Sequence, residues 1–234
     1  MTEHTVKAFT EKLEALAASV AQMGGMAEAQ LADAIEAFPK RDTGLAERAV
    51  GGDKQIDDLQ QDIEDQALKL LALRQPMAVD LRETLAAIKI ASELERIGDL
   101  AKNIAKRAIP LSTTRQVRLT NSIVRMGRAT LTQLSDVLNA HASRDIEMAL
   151  QIWNQDYEID EMYNAIFREV VTYMVEDSRL IGVGAHLLFL AKNLERIGDH
   201  TTHISEMIHY IVTGERLSDD RPKGEPSGVD FIRE

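Results

Sequence analysis

The sequence predicts an all-α protein made of two pseudo-symmetric antiparallel three-helix bundles that arose by internal duplication. Good helix formers such as Ala, Leu, Glu, Lys and Arg are abundant, whereas aromatic residues make up only 4% of the chain, a balance that favours helix over strand. Apolar residues recur at helical spacing throughout, and no segment alternates with the period of a strand. The second half of the chain repeats the first, as a duplicated unit does.

Three amphipathic helices are predicted in the first half, each with an apolar stripe and a charged back. Pro39 ends the first of them, and Asp42 or Thr43 is expected to cap the second. Gln75-Pro76 breaks the second helix, and Ile109-Pro110 closes the third. The expected ranges are residues 5–38, 44–74 and 78–108.

The second half follows the same plan, with helices expected over residues 114–142, 145–176 and 184–214. A shift of 103 residues aligns Asp53-Lys-Gln-Ile-Asp57 with Asp156-Tyr-Glu-Ile-Asp160, and the third helices align with a shift of 100. The difference falls in a loop, where insertions are tolerated. We therefore divide the chain into a first repeat (1–110), a second repeat (111–216) and a flexible C-terminal tail (217–234).

Composition narrows the functional class. The chain has 234 residues, a net charge of −11 and no cysteine, which argues against nucleic acid as a partner and excludes disulfides and thiolate metal sites. The N-terminus lacks the basic and apolar regions of a secretory signal, and no apolar run approaches the roughly 20 residues that span a bilayer. We expect a cytoplasmic protein without membrane insertion.

The strongest motif is a run that occurs once in each repeat. Residues 91–105 and 191–205 are identical at eight of fifteen positions, including an unbroken Leu-Glu-Arg-Ile-Gly-Asp. Each copy of this motif, on the third helix of its repeat, places two carboxylates one helical turn apart. The second helix of the same repeat carries another pair with the same spacing. In the first repeat the two pairs lie at similar distances from the Gln75-Pro76 turn between their helices, so they can face one another. The carboxylates are those of Asp53, Asp57, Glu95, Asp99, Asp156, Asp160, Glu195 and Asp199.

Carboxylates gathered between two helices repel one another unless a cation lies among them. A single acidic pair on a helix is usually solvated, but four pairs at matched positions favour metal binding. Oxygen ligands suit Mg²⁺, Mn²⁺, Ca²⁺ or iron. His203 extends the second motif by one more turn, where the first repeat has Asn103, and an imidazole favours iron, zinc or manganese. We expect His203 to be a ninth ligand.

The carboxylates are also compatible with two other functional interpretations. The chain has no nucleophile–base arrangement and no phosphate-binding glycine loop, and it lacks the paired Glu-x-x-His motifs of helical di-iron proteins. A metal-dependent enzyme, either a hydrolase or a di-iron type, would nevertheless use the same carboxylates. A purely structural helical scaffold would leave them solvated.

The sequence also resembles the PhoU family of bacterial regulators of phosphate uptake. The resemblance rests on Glu95-Arg-Ile-Gly-Asp99 and Glu195-Arg-Ile-Gly-Asp199, on the Asp-x-x-Ile-Asp pairs, and on Arg74-Gln-Pro-Met-Ala-Val-Asp-Leu-Arg82. It covers the chain to about residue 215. The sequence departs from the family pattern at Gly51-Gly52, which predicts a softer second helix, and at Gly182-Val-Gly184.

The resemblance implies a PhoU-like pair of three-helix bundles with metal ions, in multinuclear clusters, at the acidic motifs. It also implies a regulator and not an enzyme. The implied role is to couple the phosphate ABC transporter, through its ATPase subunit, to a sensor histidine kinase and to keep the phosphate-starvation response off when phosphate is plentiful. We expect a homodimer.

Overall fold

The computed structural model describes residues 2–74, 79–114 and 120–217. Within these residues the regular secondary structure is entirely helical. A short 3₁₀ turn, Ser178–Leu180, connects the last two α-helices. The α-helices are α1 (Thr2–Lys40), α2 (Thr43–Arg74), α3 (Val79–Leu111), α4 (Thr120–Ser143), α5 (Ile146–Gln155), α6 (Tyr157–Glu176) and α7 (Ile181–Thr213).

The helices pack as two three-helix units. In the first, α1, α2 and α3 contact one another; in the second, α4 and the consecutive α5 and α6 pack with α7. The units are joined by contacts of α3 with α7 and of α1 with α4. Their buried apolar stripes merge into one core, in which Ile97 of α3 and Ile197 of α7 are completely inaccessible to solvent. The predicted all-α, two-repeat architecture is confirmed.

Helices α3 and α7 run antiparallel along the seam between the repeats. As the residue number rises along α3, the number of the partner on α7 falls. This register gives the seam an approximate two-fold relation between the repeats. The pairs that define it are Arg82 with Ile211, Glu93 with His200, and Arg107 with Phe189.

The start of the second helix is built alike in both repeats. The side chain of Asp42 accepts a hydrogen bond from the backbone N–H three residues later, and Asp145 does the same, both at 3.0 Å. Each is preceded by an arginine in the left-handed region, Arg41 and Arg144, both with φ of 55°. Capping by Asp42 is thus confirmed, and the matching backbone supports the 103-residue alignment.

The predicted helix over residues 145–176 is wrong in one respect, because a turn at Asp156 divides it into α5 and α6. The backbone carbonyl of Asp156 accepts from the N–H groups of both Ile159 and Asp160. Its side chain is almost fully buried and accepts a hydrogen bond from Gln133. Burial of this carboxylate accompanies the local break.

The remaining boundaries differ by a few residues. Pro39 and Pro110 lie inside the last turns of α1 and α3 and do not terminate them outright, and α7 begins at Ile181 instead of residue 184. The predicted turn at Gln75-Pro76 and nearly all of the predicted tail, residues 218–234, lie outside the described residues. Searching the described helices for a candidate membrane span finds none.

Helix α2 passes through Gly51 and Gly52 without interruption, and a Cβ added at either position meets no atom within 4 Å. We expect Gly51→Ala and Gly52→Ala each to raise the free energy of unfolding by about 0.5–1 kcal/mol, because glycine is the poorer helix former. Urea denaturation followed by circular dichroism measures the change.

Gly214→Ala is the matched control, since Gly214 has a φ of 80° and an added Cβ would lie 2.9 Å from Nη1 of Arg82. That variant is expected to lose stability. Loss of stability on substitution of Gly51 or Gly52 would contradict the helical packing described for α2.

Candidate metal sites

The first acidic set lies between α2 and α3. Lys102 donates hydrogen bonds from its ammonium group to the carboxylates of Asp53 and Asp99, the latter at 2.6 Å. One cationic group thus touches both acidic pairs, which face each other across the helix–helix contact. Asp53 is buried, while Asp57 and Glu95 are half-buried.

The carboxylates of this set influence one another. Burial raises the pKa of Asp57 above its ordinary value, and the negative charge of Asp53 raises it further. Burial also raises the pKa of Glu95, and although Arg96 opposes the shift, the charges of Asp99 and Asp57 add to it. The set therefore stabilises added positive charge or protons.

The second acidic set lies between α6 and α7. Asp156 is only 1% exposed and accepts a hydrogen bond from Nε2 of Gln133 at 2.9 Å. Burial raises the pKa of Glu195; Lys192, which donates to it at 2.8 Å, opposes the shift, and the charges of Asp199 and Asp160 add to it. The structure thus brings these four carboxylates into one neighbourhood as well.

A glycine of the repeated motif brings the helices close in both sets. A Cβ at Gly198 would lie 2.8 Å from Oδ1 of Asp156, and a Cβ at Gly98 would lie 3.1 Å from Oε1 of Gln30. The carboxamide oxygens of Gln30 and Gln133 are buried, and no hydrogen-bond donor reaches them within the described part of the chain. Buried acceptors without donors beside an acidic set are suited to a cation or to its bound water.

The two sets differ in their built-in charge compensation. Burial alone would lower the pKa of Lys102, but its hydrogen bonds to Asp53 and Asp99 raise it overall, so the ammonium stays charged among the carboxylates. The corresponding residue of the second repeat is Thr202, whose hydroxyl donates to the backbone carbonyl of Asp199 at 2.7 Å. Lys102 is not among the predicted site residues, although its position three residues after Asp99 puts the two side chains on one face of α3.

His203, the predicted ninth ligand, lies against the other repeat. Its Nδ1 is 3.3 Å from Oε2 of Glu93 on α3, and Nδ1 of His200 is 2.6 Å from the same oxygen. Burial alone would raise the pKa of Glu93, but the hydrogen bonds from His200 and His203 outweigh it and lower the pKa to about 2. Asp199 is still close enough to His203 to help raise its pKa, after the larger effect of the Glu93 hydrogen bond.

The donors of both sets fit hard cations. Each offers four carboxylates from two adjacent helices, partly shielded from water, with a buried carboxamide oxygen nearby. Lys102 would have to leave Asp53 and Asp99 for an ion to use them in the first set.

Comparisons with known proteins agree with this architecture. The family profile described as "PhoU domain" matches residues 20–108 and 123–208. The phosphate-specific transport system accessory protein PhoU homolog of Caulobacter vibrioides is 54% identical over 224 residues, which cover 95% of this chain and 97% of that protein. The PhoU protein of Escherichia coli K12 is 40% identical over 215 residues, covering 92% and 89%.

Solved structures of PhoU proteins are also similar to this chain. The crystal structure of PhoU from Pseudomonas aeruginosa superposes with a TM-score of 0.86 at 36% identity, covering 88% of this chain and all of that one. The phosphate transport system regulatory protein PhoU from Streptococcus pneumoniae gives a TM-score of 0.84 at 29% identity, covering 90% and 100%. With two acidic helix pairs in two matching repeats, the chain belongs to the PhoU family.

Proposed function

We propose that this protein is an accessory protein of the phosphate transport system that represses phosphate uptake and the phosphate-starvation response. It acts as a metal-binding adaptor in the cytoplasm between the ATPase subunit of the phosphate ABC transporter and a sensor histidine kinase. The observation that carries the proposal is the pair of equivalent acidic sets in a chain of the PhoU family. The names of its relatives, transport system accessory proteins, support the same role.

Metal ions such as iron, manganese, zinc or magnesium, singly or in clusters, would be held by the carboxylates of the two sets. Asp53, Asp57, Glu95 and Asp99 would serve the first, and Asp156, Asp160, Glu195 and Asp199 the second, with His203 at its edge. A bound cation supplies positive charge where burial and mutual repulsion already raise the pKa of Asp57, Glu95 and Glu195. It would also join neighbouring helices within each repeat.

An adaptor fits the location of these sets better than an enzyme does. A cavity of about 520 Å³ lies between α1, α3, α4 and α7, and it is lined largely by apolar side chains such as Leu16, Leu138 and Ile211. None of the nine candidate ligands lines it. A metal-dependent hydrolase or oxygenase needs an ion that faces a substrate pocket.

Replacing the motif carboxylates tests metal binding. We expect Glu95→Gln/Asp99→Asn and Glu195→Gln/Asp199→Asn each to remove the metal bound by one set, because an amide is a weaker ligand. In the metal-free protein Glu195→Gln/Asp199→Asn should not lose stability, since it removes a buried carboxylate whose pKa is raised. Glu95→Gln/Asp99→Asn should be less stable, since it also weakens the contact between Lys102 and Asp99. Wild-type protein should gain about 2.7 kcal/mol at a free-ion concentration 100-fold above Kd. Metal analysis and thermal melting with added Mn²⁺, Fe²⁺, Zn²⁺ or Mg²⁺ give both readouts.

Asp58→Asn/Asp62→Asn is the matched control, because these exposed carboxylates have the same i, i+4 spacing on the same helix as Asp53 and Asp57. It should bind metal as the wild type does. Wild-type protein that purifies without metal and gains no stability from any of the four ions would overturn the metal-binding part of the proposal.

Lys102→Thr tests the unequal charge compensation, since Thr202 stands at the equivalent place in the second repeat. The variant should be less stable without metal and should bind metal at the first set about tenfold more tightly or better, because a hydrogen bond to a charged group contributes about 1.5–3 kcal/mol. Titration with Mn²⁺ and a parallel metal-free melt measure both effects. Lys106→Thr, one turn along on an exposed position, is the control; equal behaviour of the two variants would contradict the role of Lys102.

Deletion of the protein tests the regulatory role. In phosphate-rich medium the deletion strain should express phosphate-starvation genes that are normally silent, and the wild-type chain should restore repression. Reporter expression measures the effect. The Asp58→Asn/Asp62→Asn variant is the control and should restore repression as the wild type does. Reporter expression that stays low in the deletion strain would contradict repression by this protein.

A further inference from the structure

A third group of metal-ligating side chains lies at the seam between the repeats. Glu93 of α3 meets His200 and His203 of α7, and one potential ligand atom from each lies within 4.8 Å of the other two. The imidazole rings stand edge to face, with centroids 5.9 Å apart. Glu93 and His200 belong to neither acidic set, and this group shares only His203 with the second set described above.

The helices hold these three side chains in place from both sides of the seam. His200 and His203 are three residues apart and therefore share one face of α7. Glu93 approaches that face because α3 and α7 run antiparallel in the register that also pairs Arg82 with Ile211. Glu93 and His200 are partly buried, and His203 is exposed, which leaves the group open to solvent on one side.

The approximate two-fold relation supplies an internal comparison. With the 100-residue shift, Glu93 corresponds to Asn193, His200 to Leu100 and His203 to Asn103. The opposite end of the seam thus has two amides and a buried leucine where this end has a carboxylate and two imidazoles. The fold alone does not require ligating side chains at these positions.

We propose that Glu93, His200 and His203 bind one divalent transition-metal ion, with Zn²⁺ the best chemical match, and thereby join the two repeats. Two imidazoles and one carboxylate form a donor set that Zn²⁺ and Fe²⁺ use with a further position left for water. The potential ligand atoms already lie within 4.8 Å of one another, and metal–nitrogen bonds of about 2.0–2.1 Å would form as the side chains rotate towards the ion. The carboxylates of Asp199 and Glu206, close enough to act electrostatically on His203, add negative charge around the ion.

The alternative is a metal-free contact in which the two histidines donate to Glu93. The present side-chain positions satisfy that contact, with Nδ1 of each ring directed at the same carboxylate oxygen. A metal ion would replace these hydrogen bonds with metal–ligand bonds. The two possibilities differ in stoichiometric Zn²⁺ binding, so a binding experiment separates them.

The test uses the full chain in a neutralised background, in which Glu95→Gln/Asp99→Asn/Glu195→Gln/Asp199→Asn replace one carboxylate pair of each acidic set with amides. In this background we expect one Zn²⁺ per chain by equilibrium dialysis and a visible Co²⁺ spectrum of low-coordinate, nitrogen-ligated cobalt. Adding Glu93→Gln or His203→Asn should weaken Zn²⁺ binding by more than about 100-fold, since even outer-shell changes weaken metal binding by about 10–100-fold. Asn103→Ala, at the corresponding position of the other repeat, should leave it unchanged.

The result is independent of the fate of the acidic sets. Loss of Zn²⁺ binding on Glu93→Gln, with the helical circular dichroism spectrum of the metal-free protein retained, supports the seam site even if the acidic sets bind nothing. His203→Asn restores the residue type that the first repeat carries, so it is expected to fold. Absence of Zn²⁺ binding in the neutralised background, or binding that survives both Glu93→Gln and His203→Asn, would overturn the proposal and leave a hydrogen-bonded contact.

Discussion

The close approach of helices at the motif glycines is the constraint on which the two acidic sets depend. A side chain at Gly198 would place its Cβ 2.8 Å from a carboxylate oxygen of Asp156, and at Gly98 it would press on Gln30 and Ile56 at 3.1 Å. Glycine inside a helix costs about 1 kcal/mol relative to alanine. In return the second helix of each repeat lies close enough to the third for acidic pairs on both to share one neighbourhood.

Carboxylates gathered in this way repel one another, and each repeat compensates for the repulsion with different side chains. The first places the ammonium of Lys102 between Asp53 and Asp99. The second uses the amide of Gln133 on Asp156 and the ammonium of Lys192 on Glu195. The two repeats therefore resemble each other more closely in backbone structure than in the distribution of charged side chains. The ammonium of Lys102 contacts both acidic pairs of its set, whereas that of Lys192 contacts only Glu195. A cation entering the first set would therefore compete with more of the internal charge compensation than one entering the second.

Features set by local periodicity could be predicted from the sequence. The helices, the Asp42 cap and the facing of Asp53 and Asp57 towards Glu95 and Asp99 follow from spacing along one or two neighbouring helices. The break at Asp156 could not be predicted, because it accompanies burial against Gln133, a residue on another helix. The contact between Glu93 and His200 could not be predicted either, because it depends on the register of α3 against α7. The two residues are more than a hundred positions apart in the sequence.

Helices α3 and α7 each connect an acidic set to the seam between the repeats. Glu93 and Glu95 are two residues apart, which turns their side chains about 200° from each other around the helix axis. Glu95 faces α2 and its carboxylates, whereas Glu93 faces α7 and its histidines. His200 and Asp199, neighbours in sequence, divide in the same way between the seam and the second acidic set. An ion bound on one face would therefore act on a helix whose other face contacts the opposite repeat. This shared use of two central helices would give a direct physical link between ion binding and the arrangement of the repeats.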